Sequence, residues 1–126
     1  MRQLARIVIQ RSHGIPVARL EGEVDMTNAQ SLGERLRGLL TNRSVALVVD
    51  LGPTTYLDSS GITLLFGLAQ ELGLRQQRLH LVVPDGSPIA RVITITGLDQ
   101  TASTHPTIDQ ALDRARQFRD RPQPDR

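Results

Sequence analysis

A chain of 126 residues has room for one domain with a single sizeable core and little for a second. Apolar residues make up 39%, but Tyr56, Phe66 and Phe118 are the whole aromatic set, so the core has to be built from Leu, Ile, Val and Ala. All 15 basic residues are Arg, so the pI near 10.3 reflects the lack of lysine; with a net charge of +2, and Arg114, Arg116, Arg119 and Arg121 interleaved with Asp113 and Asp120, no concentrated basic face for nucleic acid is present.

The absence of Cys removes disulfide and thiolate chemistry. No apolar run approaches the roughly 20 residues that cross a bilayer. The N-terminus leads into a strand-like stretch without a signal-peptide core. The expectation is a cytoplasmic protein with no membrane insertion.

Residues 4–10 and 16–22 read as strands, and Ser12-His13-Gly14 between them is turn material, so the pair forms a hairpin. Glu23 to Met26 follows as a connection. Thr27 or Asn28 caps a helix to about Leu40, with Ala29, Leu32, Leu36 and Leu39 on one stripe. Residues 45–51 are a nearly continuous apolar run, the pattern of a central strand covered by helices. A helix from Ser59 or Ser60 to about Leu72 buries Ile62, Leu65, Ala69 and Leu72 and stops at Gly73. Residues 79–83 are a further strand.

The stretch 89–96 is ambiguous. Its β-branched residues favour a strand, whereas Ser87 as cap, Pro88 at the first position and Gly97 at the stop favour a helix facing inward through Ile89, Val92, Ile93 and Thr96. Helix is the better reading. Residues 98–102 read as a short edge strand. The last helix spans 107–119, with Ile108, Ala111, Leu112, Ala115 and Phe118 inward, and 121–126 reads as a disordered tail beyond a domain of residues 1–120. Strands alternating with helices give an α/β fold on a mostly parallel sheet, with an antiparallel edge from the hairpin.

Catalytic candidates are thin. His13 and His105 read as solvated loop residues, and His80 as a structural residue of its strand. No two histidines have metal-site spacing. Neither a Gly-x-Ser-x-Gly elbow nor a Gly-rich phosphate loop is present. The chain therefore reads as a binding protein and not as an enzyme, with no cofactor.

The informative segment is Tyr56-Leu57-Asp58-Ser59-Ser60-Gly61-Ile62, between the central strand and a helix start, where sites form in parallel sheets. Two readings stand side by side. In one, Ser59 or Ser60 caps the helix and Asp58 complements its dipole. In the other, Ser59 accepts a phosphate, which adds about two negative charges beside Asp58 and alters the binding of a partner. Gly61 then offers a smooth approach to a partner backbone. Glu21, Glu23 and Asp25 are solvated loop charges, or an acidic rim shared with Asp58.

Asp58-Ser59-Ser60-Gly61, preceded by Tyr56-Leu57 and followed by Ile62, resembles the signature of the anti-sigma factor antagonists, single-domain bacterial STAS proteins. Leu20-Glu21-Gly22-Glu23-Val24-Asp25 resembles that family's leucine-x-Gly-Glu-hydrophobic-Asp element. Ser87-Pro88 with Arg91 and Gly97-Leu98 resembles its serine-proline helix, and Ile108 to Leu112 its last-helix opening. Four such matches in order span most of residues 4–118.

The resemblance implies a STAS fold, a mixed, mostly parallel sheet of about five strands with about four helices. It also implies partner switching. The unphosphorylated protein would bind a kinase-type anti-sigma factor and free a sigma factor, phosphorylation of Ser59 by that kinase would end binding, and a PP2C-like phosphatase would reset it. ATP and magnesium belong to the kinase. Glu23, Asp25, Asp58, Ser59, Ser60, Gly61 and Ile62 map to the partner surface. Pro53 before the motif and the tail after Arg119 depart from the family pattern. An alternative of the same fold is a binding module of a stressosome-like or lipid-transport assembly.

Overall fold

The computed structural model describes residues 4–41 and 44–120, with backbone alone for 118–120. Two strands open the chain, β1 (Arg6–Ser12) and β2 (Ile15–Val24), paired antiparallel from Arg6↔Glu21 to Ser12↔Ile15. His13 and Gly14 form the two-residue turn, both at positive φ, 54° and 80°. That is the geometry whose twist matches a hairpin, and Gly14 adopts it without a Cβ penalty.

Then come α1 (Ala29–Arg37), β3 (Ala46–Asp50), β4 (Thr54–Leu57), α2 (Ser59–Leu74), β5 (Arg78–Val82), α3 (Ala90–Ile95), α4 (Leu98–Thr101), β6 (Ser103–His105) and α5 (Ile108–Asp120). The sheet order is β1-β2-β3-β5-β6, with β4 pairing β2 off this path. Every pairing except β1–β2 is parallel.

Two apolar clusters sandwich the sheet. Leu20, Leu47, Val49, Leu51, Leu79 and Leu81 pack under α1 to α4 through Leu32, Leu36, Leu65, Leu68, Leu72, Ile93 and Leu98. Ile15, Val17, Ala46, Val48 and Val82 pack on the other face against Ala111 and Ala115 of α5. Strand β3 is buried along its whole length because alternate residues serve opposite clusters, which is why it reads as a continuous apolar run.

Strand β4 was not legible in the sequence. Ten-residue β2 is long enough to pair β3 through Val17 to Arg19 and then β4 through Gly22 to Val24, with a register shift between Gly22 and Glu23. The turn after β3 makes the step. Gly52 N–H donates to Asp50 Oδ1 at 2.8 Å, Thr54 N–H to the Leu51 carbonyl at 3.1 Å, and the buried Thr54 hydroxyl to the Leu20 carbonyl at 2.7 Å. Four residues with two polar threonines and two exposed side chains carry no strand signal of their own; the neighbour β2 supplies it.

Other boundaries differ locally. Helix α1 ends at Arg37 rather than near Leu40. Helix α2 runs through Gly73 to Leu74, and the left-handed residue is Gln76, at φ 58°. The ambiguous stretch is helical, with Ile89 and Ile93 buried and Thr96 exposed, not inward. Residues 98–101 are a helical turn instead of a strand: Gly97 at φ 79° restarts the helix, and Leu98 is buried in the core. The edge strand follows at Ser103. The expected tail 121–126 lies outside the described residues, and so does the side chain of Phe118, which was expected to face inward.

Candidate functional site

The site is assembled where parallel β2 and β4 end side by side, Val24 opposite Leu57. Asp58 N–H donates to the Val24 carbonyl at 3.2 Å, which starts α2 beside the β2–α1 loop. Asp58 is the N-cap: Oδ1 accepts the N–H groups of Ser60 at 2.8 Å and Gly61 at 3.1 Å. Its Oδ2 accepts the N–H of Met26 at 3.1 Å. The cap is thus Asp58 and neither serine, because its extended backbone aims the carboxylate back at the first turn.

Ser59 stands at the first helical position and is exposed. Among the described residues its hydroxyl has no hydrogen-bond partner. It lines an open groove of about 310 Å³ between the starts of α1 and α2, with Met26, Ala29, Gln30, Ser60 and Thr63. Met26 is 78% exposed. A hydroxyl in this position is sterically open to a transferring phosphoryl group, and the product would carry about two negative charges next to the Asp58 carboxylate.

The remaining predicted site residues separate by role. Asp25 is buried, so it is not a rim charge; Oδ1 accepts both the N–H of Thr27, at 2.9 Å, and its hydroxyl. Asn28 braces the same loop, accepting the Asp25 N–H and donating to the Glu23 carbonyl, each at 2.9 Å. Glu21 and Glu23 lie on β2, not in a connection. Glu21 pairs with Arg6 at 3.1 Å and Arg19 at 3.5 Å. Glu23 is half-buried opposite Tyr56. With Asp58 committed to three N–H groups, these carboxylates do not form one solvated rim.

Gly61 does not present an open surface either. It is buried, and a Cβ there would sit 3.0 Å from Leu57 Cδ2 and 3.1 Å from Val24 Cγ1. Its lack of a side chain lets α2 seat against the ends of β2 and β4. Ile62 is 8% exposed and belongs to the core. Both support the exposed serine from beneath.

The STAS domain model matches residues 6–111. The chain is a STAS domain of the anti-sigma factor antagonist family. It is 30% identical over 106 residues to the anti-sigma-F factor antagonist RsfB of Mycobacterium tuberculosis, covering 84% of this chain and 85% of that protein. The crystal structure of an anti-sigma factor antagonist from Mycobacterium paratuberculosis superposes with a TM-score of 0.80 at 30% identity, covering 89% and 94% of the two chains. Unphosphorylated SpoIIAA shares the fold, with a TM-score of 0.70 at 22% identity over 89% and 97%.

Met26, Ala29, Gln30 and Thr63 of this STAS domain were missed as site residues. Thr63 had a signal, since it lies one helical turn from Ser59. Met26, Ala29 and Gln30 join the groove only through the β2–β4 pairing. The histidines lie elsewhere. His80 is fully buried, and His105 is not a solvated loop residue: it sits on β6 with its ring stacked on His80 at a centroid distance of 5.2 Å. Among the described residues no group of three or more His, Asp or Glu could hold a metal ion, and no helix is long and apolar enough to cross a membrane.

Proposed function

We propose that this protein is an anti-sigma factor antagonist that works by partner switching. Its unphosphorylated form binds a kinase-type anti-sigma factor and so releases a sigma factor. The partner covers the face around Ser59: Ser60, Asp58, Met26 and the groove beside them, with Glu23 and Asp25 shaping the adjoining loop. Gly61 and Ile62 hold that face in place from the core side. The observation that carries this reading is the Ser59 hydroxyl, exposed and unpartnered among the described residues, on a chain whose 30%-identical relative is an anti-sigma-F factor antagonist.

The switch is electrostatic. Phosphorylation of Ser59 adds about two charges without requiring any hydrogen bond of the unmodified site to break, because that hydroxyl holds none. The added charge and bulk stand in the groove that the partner must enter. A PP2C-like phosphatase returns the protein to its binding form.

The test is incubation with a kinase-type anti-sigma factor, ATP and magnesium, read by intact-mass spectrometry. One added phosphate, lost in Ser59→Ala, is expected. Ser59→Asp should weaken the complex with an unchanged circular-dichroism spectrum. A partner that binds tightly yet adds no phosphate would overturn the switch and leave a binding module of the same fold.

A further inference from the structure

On the face of the sheet opposite the Ser59 helix, His80 and His105 form a pair beneath α5. His80 Nδ1 lies 3.0 Å from His105 Nε2. His80 is 0% exposed, and its buried Nε2 has no hydrogen-bond partner among the described residues. Such an N···N bond needs one protonated and one bare nitrogen. It survives on one shared proton and cannot survive when both facing nitrogens carry one.

Among the described residues no carboxylate compensates a charge on His80; Asp85 and Asp99 line a cavity with His105 and not with His80. Arg78 on β5 and Arg114 on α5 act on His80 with the same sign as a protonated His105. On β3 the neighbouring position is Val48, and Asp50 further along the same strand accepts the Gly52 N–H. On α5, Asp109 is exposed and Asp113 is bound to Arg116 at 2.8 Å. Ser103 on β6 accepts from Arg78 at 3.2 Å. Among the described residues of the helix above the pair, the fully buried contacts are two alanines, Ala111 and Ala115, with Ile108 and Leu112 partly buried.

We propose that the His80–His105 pair is an acid-sensitive latch: α5 stays docked while the pair holds at most one added proton, and the second proton releases α5 from the sheet. Release would uncover Val17, Val48 and Val82. Burial, reinforced by the neighbouring cations, holds His80 down at about 4, and His105 is also lowered by burial. Docking is therefore complete above the ordinary histidine range and is lost as pH falls from there through about 4.

The experiment is amide exchange on the full chain, corrected for intrinsic rates, from about pH 7.5 to about pH 3.5, on both sides of the His80 value of about 4, alongside imidazole nitrogen shifts. The expected result is that protection of residues 108–117 falls about tenfold further than that of α2, in step with His80 protonation. His80→Leu should remove most of this difference. Parallel loss in α5 and α2, or loss of α5 while His80 stays neutral, would overturn the latch. Both readings come from the unmutated protein, so a variant that fails to fold leaves the test intact.

Discussion

The Asp58 carboxylate reaches across 32 positions of sequence to accept the Met26 N–H at 3.1 Å, while its other oxygen caps α2. One side chain therefore fixes the start of the serine-bearing helix and the loop on the far side of the groove. Replacing it by alanine removes three hydrogen bonds to a charged acceptor, at a cost of about 1–3 kcal/mol. Asp58→Asn keeps an acceptor oxygen and should cost less. Urea unfolding of the two variants measures the difference; equal losses would show that the charge and not the acceptor geometry matters.

Asp25 and Ser59 should respond in opposite ways. The buried Asp25 carboxylate holds the Thr27 N–H and hydroxyl, so Asp25→Ala should lose roughly 1–3 kcal/mol. Ser59→Ala removes a hydroxyl that holds nothing and should stay within about 0.5 kcal/mol of the parent. Thermal or urea denaturation separates the two. A large loss for Ser59→Ala would assign Ser59 a structural role instead.

Two glycines of α2 also differ in sign. At Gly61 even a Cβ is tight against Leu57 and Val24, so the branched side chain of Gly61→Val should cost about 2 kcal/mol or more. Gly73 is exposed within the helix, and a Cβ there meets nothing within 4 Å. Gly73→Ala should therefore stabilise by about 0.5–1 kcal/mol. The midpoint of chemical unfolding reads both.

Acid stability follows from His80. Its folded value, near 4, lies below that of the unfolded chain, so folding keeps the imidazole neutral. The stability that this represents is fully present above about pH 6.5 and drains away as pH falls toward 4, by roughly 2–3 kcal/mol in all. Urea midpoints across that window should drop in the parent and drop less in His80→Leu. A flat profile in the parent would contradict the burial account.

The hairpin, the central strand, the amphipathic helices and the Asp58-Ser59-Ser60-Gly61 helix start were legible because each rests on local chemistry. A turn before Gly14, a continuous apolar run at 45–51 and capping residues are properties of neighbours in sequence. Glu21, Glu23 and Asp25 show where this stops. All three are acidic and close in sequence, yet one pairs with arginines, one is half-buried on a strand and one is sealed inside a loop. Burial depends on what packs against a residue, and sequence spacing does not report it.

By itself, then, the sequence placed the start of α2 at Ser59 or Ser60 and determined which residue types surround it. Only the tertiary structure decided that Asp58 is the cap, that Gly61 faces the core, and that Met26 shares a groove with Ser59. The physical reason is β4: four residues with no strand signal of their own pair with the end of β2 and bring two distant loops within one hydrogen bond of each other.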